Sequence, residues 1–511
     1  MNMVRTIFAF CLLLISACSP TKTELPPPPP NIIMFLVDDM GWQDTSVPFW
    51  KQTTPFNRIY QTPNMERLAA EGMKFTQAYA TPVCSPTRVS FLTGMNAARH
   101  RVTNWTLRKD VLKPMEIDHE LLEFPWWNVN GITPDSTVNH AVYATPLPKI
   151  LHDHGYHTIH VGKAHFGAIG TPGEDPLNLG FDVNIAGHAA GAPKSYYGTQ
   201  NFGNTEEFED SPWPVPGLEK YHGDSIYLTE ALTTEALAAI DQSSQPFFLY
   251  MSYYAVHGPI MANPKFLEKY LSMGMDSTEA SYATMVESMD QSVGRFLDYL
   301  EQHSLADNTI ILFMSDNGGL SAIARGGEPH THNKPLASGK GSIYEGGIRE
   351  PMLVKWPNVV APGSENDDYL IIEDFFPTIL EMAGIGNYQT VQTVDGVSFL
   401  PLLQGAKINQ SRALFWHYPN EWGPSGPGIG AYSAVREGDW KLIYYHLDQS
   451  VELFNIADDI GEITNLADSN QEKAEQLAQT LGDYLESVDA QMPTNKKTGQ
   501  KIPYPAKSNN L

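Results

Sequence analysis

The sequence predicts an α/β fold: a large central, mostly parallel sheet covered by helices on both faces, followed by a smaller C-terminal antiparallel sheet with one helix. Three observations carry this. Four apolar runs, "NIIMFLVDDMGW", "YHTIHVGKAHFG", "PFFLYMSYYAVHGP" and "NTIILFMSDNGG", lack polar alternation, as strands buried on both faces do. Segments of helical periodicity alternate with them, the order expected of a sheet covered on both sides. After about Leu403 the pattern changes to short strand-like runs, "RALFWHY", "AYSAVREGDWKLIYY" and "VELFNI", with a turn at Glu437 to Asp439, and then the amphipathic "QEKAEQLAQTLGDYLESV".

Taken in order, residues 1–17 read as an export signal: Arg5 gives positive charge, "IFAFCLLLIS" is an apolar run too short to span a bilayer, and "SAC" offers small residues. "LISACSP" resembles a bacterial lipobox, which implies cleavage before Cys18 and lipidation of Cys18; a plain signal peptide with a chance cysteine is the alternative. Residues 18–30 form a tether in which Pro26 to Pro30 would be stiff and extended. The main domain is expected over 31–403, a C-terminal subdomain over 404–490, and a polar, loosely ordered tail over 491–511. Within the main domain, "TPNMERLAAEG" and "TPLPKILHDHG" read as helices stopped by Gly72 and Gly155, and 225–242 and 278–303 as longer helices.

With 511 residues and 42% hydrophobic content the chain can fill a sizeable core. The formal net charge of −25, from 58 acidic against 33 basic residues, excludes nucleic acid or an anionic membrane surface as a partner for the molecule's face as a whole. A local basic pocket is still compatible with it. Of three cysteines, Cys11 leaves with the signal and Cys18 is assigned to lipid. Cys84 is left without a disulfide partner, either a buried inert thiol or a chemically special one.

Each of the four apolar runs ends in polar residues: Asp38 and Asp39, Lys163 and His165, His257, and Asp316 and Asn317. In open α/β sheets ligands bind beyond the carboxyl ends of the strands, so these groups can converge on one crevice. Asp38, Asp39, Asp316 and Asn317 offer only oxygen, which suits calcium or magnesium and not zinc. Either pair alone is also the pattern of a cap or turn; its recurrence on two strands points to metal. "CSPTRVSFLTG" reads as a helix start with Ser85 as cap, Pro86 at the first position and Cys84 just ahead. Free N–H groups there would receive sulfate or phosphate, and Arg88 could clamp it. A buried structural thiol before an ordinary helix fits the same spacing. His165, His257 and Lys340, in the glycine-rich "SGKGSIYEGG", complete a set suited to attack on a tetrahedral oxyanion ester.

"CSPTR", Cys84 to Arg88, resembles the Cys-x-Pro-Ser/Thr-Arg signature of the type I, formylglycine-dependent sulfatases. "LVDDMGW", "GKAHFG", "VHGP", "SDNGG", "GKGSIYEGGIREP" and "WKLIYY...ELFNIADDIGEITNL" are similar to that family's successive landmarks from about Asn31 to about Val488. The resemblance implies an alkaline phosphatase-like fold and oxidation of Cys84 to formylglycine by a maturation enzyme. It further implies one calcium ion on Asp38, Asp39, Asp316, Asn317 and the modified residue 84. The hydrated aldehyde would attack sulfur through one hydroxyl. His257, helped by Lys340, would protonate the leaving oxygen, Arg88 and Lys163 would neutralise charge, and His165 would take the second hydroxyl's proton so that sulfate is eliminated. One departure is Met95, where the family's extended motif usually has a basic residue.

An exported, lipid-anchored sulfatase of the bacterial envelope, in the periplasm, at the outer membrane or on the cell surface, is expected to act on a sulfated glycan, with the membrane met through the anchor alone. His188, Lys194, His330, His332 and Lys334 are candidate contacts to sulfate or sugar, and "FPWWNVNG", with Trp126 and Trp127, and "HYPNEWGP" are candidate stacking platforms or core. A formylglycine-dependent phosphonate monoester or phosphodiester hydrolase is the nearest alternative. An inactive carbohydrate-binding lipoprotein is the alternative of another class. Two-zinc phosphatases of the same superfamily need a histidine soon after the "DN" landmark, where this chain has Gly318 and Gly319.

Overall fold

A computed structural model describes residues 28–112, 119–243, 246–322, 325–407 and 412–505. Cys18 and the apolar run before it lie outside them. No described helix is long and apolar enough to cross a membrane. Nine strands form the central sheet, eight of them in the order 364–366, 73–79, 349–355, 309–315, 31–37, 247–252, 157–162, 183–185, with 370–371 pairing beside 73–79. Only Arg349–Lys355 runs antiparallel to its neighbours. The four apolar runs singled out in the sequence therefore lie side by side and end at one edge. Asn31–Val37 sits in the middle, paired in parallel with Thr309–Ser315 and Phe247–Ser252.

The burial of that strand shows why its sequence does not alternate. Ile32, Met34 and Leu36 join one core cluster, while Ile33, Phe35 and Val37 join another on the opposite face. The first face is covered by the helices Cys84–Thr93, Leu147–Asp153 and Phe375–Met382, through residues such as Phe91, Leu151 and Ile379. The second is covered by Pro63–Glu71, Leu228–Asp241 and Ser277–Gln302, through Met65, Leu232 and Phe296. The expected doubly covered α/β sheet is thus the architecture observed.

A second, four-stranded antiparallel sheet is built from Ala413–Tyr418, Tyr432–Glu437, Trp440–Tyr445 and Val451–Asn455, and the helix Gln471–Ser487 lies on one of its faces. Its other face, with Trp416, Ala434 and Ile443, belongs to the main core. Charge also joins the two parts: Lys441 lies 3.1 Å from Glu345 and 2.8 Å from Glu462, all fully buried. The tail departs from expectation. Thr494–Asn495 pairs with Leu122–Glu123, and Ile502 is buried beside Leu485, because a few apolar residues in a polar stretch suffice to dock it. Trp127 is core, whereas Trp126 is half exposed against the His140 ring.

Met95 lies in the main core, just past a left-handed Gly94 that closes the Cys84–Thr93 helix. The next residue, Asn96, donates to Glu373 Oε1 at 2.8 Å and to the Phe415 carbonyl at 2.9 Å, linking the two parts of the molecule. Burial, then the neighbouring Asp374, pushes the Glu373 carboxyl up to about 8. A carboxyl raised on folding adds stability that is complete below its unfolded value near 4.5 and is lost as pH rises through about 8. Glu373→Gln is therefore expected to flatten, by a few kcal/mol, the fall in unfolding free energy between pH 5 and pH 9. Denaturant titrations of both forms across that range check it, and parallel curves would contradict it.

Candidate active site

Asp38 and Asp39 follow the central strand, Asp316 and Asn317 follow its neighbour, and all four are fully buried. Three bases from three other segments meet them. Lys163, after His157–Gly162, donates to Asp38 Oδ2 at 2.7 Å. Arg88, on the Cys84–Thr93 helix, donates to Asp316 Oδ2 through Nε at 3.0 Å and Nη2 at 2.7 Å. Lys340 lies 2.6 Å from Asp39 Oδ1, which also accepts from the Asn317 amide at 2.8 Å. Each carboxylate of the pair is thereby satisfied on one oxygen. Asp38 Oδ1, Asp39 Oδ2 and Asn317 Oδ1 are buried with no hydrogen-bond partner.

These orphaned oxygens test the metal expectation. Burying a carboxylate oxygen without a partner is costly, and a hard cation satisfies several at once. Asp38, Cys84 and Asp316 have ligand atoms close enough together to share one ion, as do Asp38, Asp39 and His257. The donor set fits a divalent, oxygen-preferring metal. Burial pushes Asp38 well above the usual carboxylate range, against the pull of Lys163 and with the push of Asp316 and Asp39. Burial would raise Asp39 too, but Lys340 and His257 hold it well below that range. With Asp38, Asp39 and Asp316 ionised, three full charges of each sign cancel, so a bound dication would leave a surplus of two positive charges for an anionic ester.

Cys84 is the first residue of its helix, after an uncapped Val83, and Ser85 does not serve as cap. Its hydroxyl instead donates to the His165 carbonyl at 2.8 Å and accepts from the Thr106 N–H at 3.1 Å, tying helix to strand end. Arg88 is turned inward: besides Asp316, it donates to the Lys163 carbonyl at 3.0 Å and to Ser252 Oγ, so it holds the strand ends together rather than clamping a free anion. Burial raises the Cys84 thiol despite Lys163 and Lys340. As encoded, the residue is a protonated thiol and a poor nucleophile.

The histidines are set as neutral rings. His165 donates from Nε2 to the Thr106 carbonyl at 2.9 Å, which leaves Nδ1 as a buried lone pair with no partner. Burial, then Lys163 and Arg88, holds its pKa well below the usual value. Gly191 is required beside it, since a Cβ there would lie 2.3 Å from the ring. His257 donates from Nδ1 to the Gly258 carbonyl at 2.7 Å, with Nε2 3.6 Å from Asp39 Oδ2. Burial and then Lys340 press it to about 3.

Cys84, His165, His257 and Lys340 open on a cavity of about 260 Å³ walled mainly by Trp105, Trp213, Trp422 and Leu320. Of these walls the sequence indicated only Trp422, through "HYPNEWGP"; Trp105 and Trp213 sit in irregular segments where no periodicity marks them. Their one available signal is a large aromatic on a loop. The five proposed sugar contacts lie elsewhere. His188 bonds the Tyr254 hydroxyl and the Pro212 carbonyl, Lys194 stacks 3.8 Å over Phe208, and His332 bonds Ser321 and the Gly326 carbonyl. His330 is packed against Gly426, and Lys334 is exposed.

Comparison with known proteins decides the family. A sulfatase family model matches residues 30–385. This chain belongs to the sulfatase family. The model of the C-terminal part of N-sulphoglucosamine sulphohydrolase matches residues 338–491. A sulfatase of Formosa agariphila is 30% identical, covering 98% of this chain and 96% of its own length. Human N-acetylgalactosamine-6-sulfatase is 31% identical over 91% of this chain and 87% of its own. The solved structure of Ps i-CgsB in complex with k-i-k-neocarrahexaose superposes with a TM-score of 0.70 at 25% identity, covering 93% and 95% of the two chains. The enzyme is a sulfuric ester hydrolase, and the family implies formylglycine and a divalent metal.

Removing Arg88 would leave Asp316 buried without its strongest partner. Arg88→Met is expected to cost about 3–5 kcal/mol of unfolding free energy. Denaturant unfolding measures this, and a loss under about 1 kcal/mol would show that Asp316 is neutralised in another way.

Proposed function

We propose that this sulfatase removes sulfate from a sulfated carbohydrate, with Cys84 matured to formylglycine and a calcium ion held by Asp38, Asp39, Asp316, Asn317 and residue 84. The observation that carries it is the set of buried, unpartnered oxygens on Asp38, Asp39 and Asn317 beside a buried cysteine at a helix start. A calcium ion would polarise the ester and lower the pKa of a hydroxyl bound to it. As formylglycine, residue 84 would supply a hydrated aldehyde, one hydroxyl to attack sulfur with loss of the alcohol and a second whose deprotonation would release sulfate and restore the aldehyde.

The chain's own groups are arranged for the proton movements. His165 Nδ1 is the lone pair free to accept the second hydroxyl's proton, because Nε2 is committed to Thr106. The leaving oxygen draws its proton from His257 and Lys340, which share Asp39. Burial would lower the Lys340 ammonium, but Asp39 drives it above the ordinary lysine value, so Lys340 stays charged and holds the proton, while His257, pressed to about 3, is a neutral ring that would pass it on through Nε2. Arg88 and Lys163 keep Asp316 and Asp38 in place. The tryptophan walls suit the C–H faces of a sugar ring.

The sulfated-carbohydrate substrate rests on these walls and on the relatives named for such activities. Export with lipid attachment at Cys18, within the bacterial envelope, rests on the N-terminal pattern. Protein co-produced with a maturation enzyme is expected to show the mass of formylglycine at residue 84 and to release sulfate from glycans faster than it cleaves phosphonate or phosphate diesters. The reverse preference would replace the reading with the phosphorus-ester alternative. Cys84→Ala is expected to abolish release. His257→Ala is expected to lower kcat by about 10²–10⁴. Chelation is expected to stop turnover and added calcium to restore it better than zinc, as sulfate-release assays would show.

A further inference from the structure

The reactive cavity, whose buried charges balance, lies beside two acidic grooves. Trp213, on one wall, stands between Pro212 and Pro214, which line a groove of about 910 Å³ together with Glu174, Glu206 and Glu209. Trp422, on another wall, follows Glu421, which lines a groove of about 470 Å³ together with Asp448 and Glu452. Among the described residues, neither groove is lined by a lysine or arginine. Lys194, whose ammonium lies 3.8 Å over the Phe208 ring that lines the first groove, offsets one of its three carboxylates. In the second, Glu452 accepts from Tyr344 and Tyr445 at 2.9 and 2.8 Å. The cations at the head of the cavity, Lys163, Arg88 and Lys340, are each paired within the buried cluster around Asp38, Asp39 and Asp316.

Carboxylates and aromatic rings are good partners for uncharged sugars: the first accept hydroxyl hydrogens, the second cover C–H faces. The same carboxylates repel a second sulfate or a uronic acid. We infer that this enzyme takes a glycan whose one anionic group is the sulfate ester to be cleaved, with uncharged sugar residues beside it in the grooves near Glu206 and Glu421. This rests on the carbohydrate-sulfatase reading above and narrows its substrate. A reaction that strips or separates neighbouring anionic groups would have to act earlier on any densely sulfated chain.

The test compares two oligosaccharides that share a sulfated residue and differ by a second sulfate on the adjacent sugar, using full-length enzyme with formylglycine verified at residue 84. The second sulfate is expected to lower kcat/KM about three- to tenfold near 0.05 M salt, the scale of one added charge facing three carboxylates at roughly 8 Å, and the gap is expected to narrow near 0.5 M. Glu206→Gln with Glu209→Gln, or Glu421→Gln, is expected to raise the ratio of disulfated to monosulfated turnover. Equal or faster turnover of the disulfated glycan, or a ratio insensitive to salt and to all three substitutions, would overturn the inference while leaving the sulfatase reading intact. Turnover of a simple aryl sulfate with neither glycan cleaved would overturn the carbohydrate reading and the inference with it.

Discussion

Three carboxylates buried at one edge of the sheet, Asp38, Asp39 and Asp316, cannot stay ionised together without cations, and the molecule supplies these from three separate places. Lys163 ends a strand three places from that of Asp316 across the sheet, Arg88 projects from a covering helix, and Lys340 comes from the loop leading to Glu345. No partner is near another in sequence, so the balance exists only when sheet, helix and loop are assembled. The reactive geometry and the integrity of the core are therefore the same problem. Removing one base would both disarm the site and strand a charge in the interior.

The position of Lys340 depends on the second sheet. Gly341 has a left-handed φ of +86°, and a Cβ there would lie 2.1 Å from the Trp422 ring, so that the loop and the tryptophan wall fit closely. Glu345, a few residues further on, is buried against Lys441 of the second sheet, and the Glu345 N–H donates to Glu462 at 2.5 Å. Gly318, after Asn317, allows the Gly346 carbonyl to approach where a Cβ would meet it at 1.9 Å. The C-terminal part thus completes the cavity, holding both a cation and an aromatic wall in place.

Charge is arranged in two zones. The buried cluster is balanced within itself, and a dication would turn it into a receptor for one anion. Around it, Glu174, Glu206, Glu209, Glu421, Asp448 and Glu452 line acidic grooves that agree in sign with the net charge of −25. Long-range repulsion is screened over roughly 8–10 Å in salt, so capture of the sulfate is left to short-range contacts inside the cavity.

By itself the sequence determined the sheet, the strand ends and the candidate residues that gather there. Asp38, Asp39, Lys163, His165, His257, Asp316 and Asn317 all close apolar runs, and a run buried on both faces is legible because no polar residue interrupts it. Cys84 and Arg88 were legible through a short motif. Tertiary structure alone decided which atoms remain free: that Ser85 ties His165 rather than capping its helix, that Arg88 faces inward, and that His165 presents Nδ1. It also decided that Met95 and Trp127 are core, that His188, Lys194 and His332 are tied to neighbours outside the cavity, and that Trp105 and Trp213 wall it. Periodicity records which face of an element is buried. It carries no record of which loops, distant in sequence, come to share a cavity, because that follows from how the layers pack.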